Sequence, residues 1–387
     1  MGTEQTRWKP GKGRIAVCVL FLCLAALAFL WLHHITNMLP GEQAAGRWAG
    51  GSGRFAQVTA FLPEHGGLTA GQADGLAMAI QGGLVAQGIT PDEPGGLSTH
   101  AYSAFGVLST STRDRGPAEA FATGVGGNFF VFHPVQLVSG SYLPVESLNR
   151  DMVMIDETLA WALFGATDVA GFDLTIQGQS FRIVGVYRPL QNFASQAADG
   201  ALPHIFLYYD AMAELLGPVP VTTVMSVVPN PISGLGEYVF RGAMETGDMD
   251  EDGYTLVVNT HRYRLTALFG VIRDFGHRSM YQEGLRLPQW ENAARMVEDF
   301  AALALLLIVL FLIYPVIMAV QLGIHAFQRR RWRIRMIYDK IDAKREQKRE
   351  QVWRESGQTE PEYDHQFDVD EIIRSVRESE EHHDTTR

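Results

Sequence analysis

Two runs of apolar residues bracket this chain, and the stretch between them alternates. Ile15 to Leu32 and Ala301 to Val320 are free of charge, and a helix rising about 1.5 Å per residue needs roughly that length to cross a hydrocarbon core of about 30 Å. Between them, Phe55, Gln57, Thr59 and Phe61 alternate with Ala56, Val58 and Ala60 at the period of a strand. Leu76, Ala79, Ile80, Leu84 and Val85 recur at helical spacing, with Thr69 placed to start that helix and Gly88 to stop it. Thr99 to Thr110 reads as a strand. Met152 to Ile155 is a short buried strand running into a helix capped by Asp156, with Leu159, Leu163 and Phe164 on one face and Gly165 as terminator. Leu174 and Ile176, the turn Gln177-Gly178, and Phe181 to Val186 predict a hairpin. Ile205 to Tyr209, Val221 to Val228 and Tyr254 to Asn259 add strands, and Leu235 to Met244 a helix. With no regular βαβ alternation, the class expected is α+β.

Glycine-rich runs interrupt the pattern. Gly41 to Gly53 reads as a connector leaving the first apolar helix. Gly124 to Phe132 and Leu137 to Leu143 read as turn glycines beside core aromatics, because neither carries the spacing of a phosphate-binding loop.

Charge supplies orientation. Arg7, Lys9, Lys12 and Arg14 precede the first apolar run, Arg329, Arg330, Arg331, Arg333 and Arg335 follow the second, and every lysine lies outside the stretch between them. The positive-inside rule then puts both termini in the cytoplasm and the central stretch outside, in the plasma membrane of the cell. The expected organisation is a cytoplasmic N-terminus over 1–14, a first span over 15–33, an extracytoplasmic domain over 34–298, a second span over 299–324 and a charged cytoplasmic tail over 325–387. The first run is longer than a signal-peptide core and no A-x-A site follows it, so an uncleaved anchor is expected. The 387 residues, 47% of them hydrophobic, suffice for a folded core. Both cysteines, Cys18 and Cys23, fall inside the first span, so the outer domain must stand without disulfides. A net charge of −11 with no basic face in the central stretch excludes nucleic acid as partner.

Little in the central stretch suggests catalysis. It has no lysine for Ser-Lys chemistry, no G-x-S-x-G, no H-E-x-x-H and no cysteine pair, and its histidines are scattered singly. Neither an enzyme nor a cofactor is expected. One acidic loop stands apart: Asp248, Asp250 and Asp252 followed by Gly253 match D-x-D-x-D-G, which can wrap calcium. Its twelfth position is Asn259 instead of a bidentate glutamate, so a solvated acidic turn is the alternative. In the tail, Ile324 to Ile341 interleaves Arg329, Arg330, Arg331, Trp332, Arg333 and Arg335 with apolar residues, a basic helix suited to the lipid of the inner leaflet or to a partner. Lys340 to Arg354 reads as a charged, solvated helix, and Asp368 to Val376 as a short partner-binding one. Pro315, inside the second span, removes a backbone donor.

The segment VMIDETLAWALFGATDVAGFDLTIQGQSFRIVGVYRP, Val153 to Pro189, resembles the periplasmic core domain of MacB-type ABC transporter permeases, relatives of the FtsX-like and lipoprotein-releasing permeases. The likeness rests on Asp156-Glu157, Leu159-Ala160, Leu163-Phe164-Gly165, Asp168, Gly171 and Gly185-Val186, with Phe129-Phe130 and Leu137 to Gly140 upstream. It implies a MacB-like mixed α/β domain between membrane helices, an accessory or permease-like subunit, and coupling to a separate ATPase and another permease-like membrane subunit. Such permeases usually carry three membrane helices after the domain, whereas one is read here, and no G-x-x-x-x-G-K-S/T is present. The alternative function is a membrane-anchored receptor or scaffold that binds a ligand outside.

Overall fold

A computed structural model describes residues 11–50, 54–89, 98–145, 147–247, 249, 253–275, 281–282 and 285–356. The chain opens with helix α1 (Lys12–Thr36), a 3-10 turn (Pro40–Gln43) and α2 (Ala44–Ala49), followed by β1 (Phe55–Phe61), α3 (Ala70–Ala86), β2 (Thr99–Ser111) and β3 (Ala118–Gly127). Next come α4 (Phe129–Phe132), β4 (Gln136–Gly140), β5 (Met152–Asp156), α5 (Glu157–Phe164), β6 (Asp173–Ile176) and β7 (Gln179–Arg188). Then follow α6 (Phe193–Ala198), β8 (His204–Tyr208), α7 (Tyr209–Leu216), β9 (Thr223–Pro229), α8 (Leu235–Thr246) and β10 (Thr255–Val258). The chain continues through α9 (Leu265–Arg273) and the short pair β11 (Tyr281–Gln282) and β12 (Leu285–Arg286) into α10 (Gln289–Ser356). Residues 12–315 form one compact unit; the described part of the other unit is Gly11 and the remainder of α10 from Val316.

One mixed sheet carries the central domain, in the order β10-β1-β9-β2-β3-β8-β5-β7-β4, with β6 bridging β2 and β7. The β3–β8 and β5–β7 pairs are parallel and the other neighbours antiparallel. The alternation in β1 is realised: Ala56, Val58 and Ala60 meet the layer of α3 and α8, where Leu76, Ile80, Leu84, Val239 and Phe240 close a core. Thr69 caps α3 in a capping box with Gln72. A second core joins Leu108, Ile155, Leu159, Leu163, Ile183 and Leu207 across β2, β5, α5, β7 and β8. Such side chains each contribute about 1.5–3 kcal/mol when fully buried.

Three readings of the sequence change. Of the run Gly41 to Gly53, residues 41–50 are not a mere connector, because they carry α2 with Ala44 and Ala45 buried, while 51–53 lie outside the described residues. Gly124 and Gly126 are not turn glycines: both sit inside β3, a strand that the pattern concealed. A Cβ at Gly124 would meet Met212 Sδ at 2.7 Å, and one at Gly126 would strike the Tyr102 ring, so the glycines let a helix and an aromatic lie flat on the strand. The second apolar helix begins at Gln289, ten residues before its expected span.

The strand-to-helix turn at Asp156 forms as its residues demand. Asp156 Oδ1 accepts from the Leu159 N–H at 2.6 Å and Oδ2 from the His204 N–H at 2.8 Å, joining α5 to β8, and Gly165 ends the helix at φ +70°. Burial pushes this carboxyl above its ordinary range, with the two backbone donors holding it back. Asp156→Ala leaves two buried donors unmatched, so unfolding of the detergent-solubilised chain should show a loss of about 2 kcal/mol or more.

Candidate functional site

The polar side of β1 leads to the junction between the domain and its apolar helices. Gln57 and Thr59 are almost wholly buried although polar, because the segment leaving α1 and the 3-10 turn Asn259–His261 after β10 fold over them. Gln57 Oε1 accepts from the Ala44 N–H at 3.0 Å and its Nε2 donates to the Gly41 carbonyl at 2.7 Å. Thr59 Oγ1 donates to Asn259 Oδ1 at 2.9 Å, and Asn259 Nδ2 donates to Glu42 Oε2 at 3.0 Å.

Arg262 closes the network. The 3-10 turn Asn259–His261 after β10 delivers it into a site where its side chain is 2% exposed. Its Nη1 lies 3.1 Å from Glu42 Oε1, its Nη2 2.5 Å from Glu291 Oε1 and its Nε 2.5 Å from Glu298 Oε1. Glu291, Arg295 and Glu298 share one face of α10, and Arg295 Nε reaches Glu291 Oε1 at 3.0 Å. A planar guanidinium can engage three carboxylates through separate N–H groups, which a lysine cannot do in this geometry. Burial alone would lower the Arg262 pKa, but the three glutamates raise it well above the ordinary value, so it stays charged. Burial raises the Glu42 carboxyl, Glu291 adds to that rise, and Arg262 and Asn259 oppose it.

An aromatic plug lies alongside. Trp290, the second residue of α10, sits 4.4 Å from the His133 ring, 5.5 Å from Phe105 and 5.8 Å from Phe129, between centroids. Burial, then the charge of Arg47, lowers the His133 pKa to about 3, so this histidine is neutral. Gly41 passes so close that a Cβ there would lie 3.0 Å from His133 Nδ1. Beside the plug is a cavity of about 110 Å³ lined by Leu39, Gly41, Tyr187, Pro189 and Trp290 among others. Ion clasp, plug and cavity bind the exit of α1, the start of α10 and the domain into one piece. The charges of the clasp are paired with one another.

The residues singled out in the sequence lie elsewhere. Asp248, Asp250 and Asp252 fall outside the described residues, and among those described no three His, Cys, Asp or Glu side chains gather to hold a metal. Arg329, Arg330, Arg331, Trp332, Arg333 and Arg335 are on α10, and Asp368 to Val376 is outside the described residues. The motif of the resemblance is framework: Glu157 pairs with Arg188 at 3.0 Å, and Asp168 accepts from Ser139 at 2.5 Å. Sequence reasoning missed Glu42, Arg262, Trp290, Glu291 and Glu298. The available signal was Glu291, Arg295 and Glu298 repeating on the helix that enters an apolar run, where charges need partners.

Residues 50–233 match the family described as the MacB-like periplasmic core domain. Solved structures overlap loosely. The extracellular domain of the noncanonic ABC-type transporter YknZ from Gram-positive bacteria is 13% identical with a TM-score of 0.38, covering 52% of this chain and 99% of that one. The periplasmic region of MacB from Actinobacillus actinomycetemcomitans is 13% identical with a TM-score of 0.41, covering 58% and 93%. A permease-protein domain from Porphyromonas gingivalis is 19% identical with a TM-score of 0.32, covering 53% and 89%. A sequence search of curated proteins finds no match. The central domain is thus a MacB-like periplasmic core domain of the ABC transporter permeases, set between two helices long and apolar enough to cross a membrane. That family implies an ATPase partner. The clasp residues Glu42, Arg262, Glu291 and Glu298 all lie outside the matched span.

Two outcomes test the clasp. Arg262→Ala removes the cation that three buried carboxylates share, leaving Arg295 on Glu291 and Asn259 on Glu42, and denaturant unfolding in detergent should register a loss of about 3–5 kcal/mol. Because the folded state holds the Glu42 proton more tightly than the unfolded chain does, this group costs stability as pH rises through the ordinary carboxylate range. Thermal unfolding of Glu42→Gln should therefore fall less steeply than that of the native chain between about pH 4 and pH 7, and equal slopes would remove Glu42 from this role.

Proposed function

We infer that the chain is a permease-like or accessory membrane subunit of an ABC-type transport or mechanotransmission system, in which a separate cytoplasmic ATPase drives an outer, non-catalytic domain through the membrane helices. The observation that carries this reading is the Arg262 clasp, which ties both apolar helices to the domain through buried, directional bonds. A tether that only kept the domain near the membrane would have no use for such a joint. Salt bridges this buried resist sliding and bending, so a displacement of α10 or α1 is passed to the sheet through Asn259 and Thr59.

In this reading α1 and the middle of α10 span the plasma membrane, residues 34–298 are outside, and both termini are cytoplasmic because basic residues flank the spans on their terminal sides. Arg329, Arg330, Arg331, Trp332, Arg333 and Arg335 then meet the ATPase or the inner leaflet. A second permease-like subunit supplies the further membrane helices of a transport path.

Purification of the full chain from its own membranes in mild detergent is expected to recover an ABC ATPase together with a second membrane protein. Recovery of copies of this chain alone overturns the reading. Replacing Arg329, Arg330, Arg331, Arg333 and Arg335 by serine is expected to release the ATPase. Its retention would assign that basic run to lipid.

A further inference from the structure

α9 presents apolar side chains on two sides. Leu268 and Val271 are buried, and Leu268 belongs to a cluster with Ile35, Ala293, Ala294, Val297 and Ala301 of the two apolar helices. Leu265 and Phe269, one turn apart, face outward at 60% and 58% exposure, and Phe275 just beyond the helix is 61% exposed. Exposed basic residues sit at both ends: Arg264 before the helix, and Arg273 at its last position, where it pairs with Asp274 at 3.0 Å. Water is a poor environment for three large apolar side chains on so short an element.

Height along the helices decides what covers them. The uncharged run of α10 begins at Ala301, and Phe300 just before it meets Trp31, near the end of the α1 run, edge-to-face at 6.2 Å between centroids. Trp31 is of the residue type enriched at a membrane surface. The cluster mates of Leu268 on α10, from Ala293 to Ala301, lie within about 10 Å of Phe300 along the helix. A second apolar tip reaches the same level: Phe193, 40% exposed, meets Phe300 edge-to-face at 5.2 Å between centroids, and Leu190 before it is 38% exposed. The outward side chains Phe29 and Leu30 on α1 and Leu303 and Leu306 on α10 carry the apolar surface on into the spans.

We propose that α9 and the turn bearing Leu190 and Phe193 lie in the headgroup layer of the bilayer, seating the outer domain on lipid by a contact that does not span it. A short helix with an apolar outer side and terminal arginines suits that layer, where apolar side chains sink a few ångströms and guanidinium groups meet phosphates. The seat fixes the tilt of the domain about the clasp, because Arg262 lies three residues before Leu265. The proposal rests on the reading of α1 and α10 as membrane spans and is independent of any ATPase.

The test uses the full chain with Cys18→Ser and Cys23→Ser, reconstituted at high lipid excess in phosphatidylcholine–phosphatidylglycerol vesicles. An environment-sensitive fluorophore is attached in turn through Phe269→Cys, Leu265→Cys, Met78→Cys on exposed α3, and Phe29→Cys in α1. Nitroxide-bearing lipid is expected to quench most emission at positions 269, 265 and 29, and aqueous iodide to quench only at 78. Iodide access at 269 and 265 equal to that at 78 overturns the seat while quenching by lipid at 29 preserves the span. Protection at 269 and 265 from both quenchers means that protein covers the face, which also overturns it. Failure of lipid quenching at 29 as well removes the span and the seat together.

Discussion

A single buried arginine sets the terms for this molecule. Arg262 is held by three glutamates from two separate segments, one following α1 and two on α10. Charges taken out of water are expensive unless each finds a partner, so none of these segments can leave without exposing the others to that cost. With Arg295 the group holds two positive and three negative side chains, and burial, with the charge of Glu291 adding to it, raises the pKa of Glu42 against the pull of Arg262. The exit of α1, the turn after β10 and the start of α10 meet where this group is satisfied.

The remainder of the junction obeys the same logic with other forces. Gln57 and Thr59 point from β1 into a region that would reject them, except that backbone and amide groups from the linker and from Asn259 complete their hydrogen bonds. Trp290 turns the start of α10 into a wedge against His133 and Phe129, and the neutral state of His133 keeps that contact free of a buried charge. Beyond the junction the sheet is ordinary in its packing, with α3 and α8 on one side of β1 and β9 and a second core around β5 and α5. The buried ion pairs and the aromatic contacts of Trp290 are concentrated where the domain meets the helices.

Local pattern carried much of the fold. The two apolar helices, the capped α3, the Asp156 turn and the β6–β7 hairpin are decided by periodicity and by residues whose side chains act within a few positions of themselves. The resemblance read at Val153 to Pro189 was legible for the same reason, since its residues are caps, turns and core. β3 was not legible, because Gly124 and Gly126 serve Met212 and Tyr102, which are remote in sequence. The junction was hidden too: Glu42 and Arg262 are 220 residues apart, and neither has a local reason for its identity.

From its own chemistry the sequence determined that two greasy helices enclose a folded domain without thiols or an evident catalytic group, because hydropathy and residue type are properties of each segment alone. Tertiary structure decided which charges are neutralised, which glycines are clearances and which linker is a joint, because those depend on atoms brought together from distant parts of the chain. The same holds for the outward side of α9: its apolar residues are visible in the sequence, but only the cluster around Leu268 places them beside the helices.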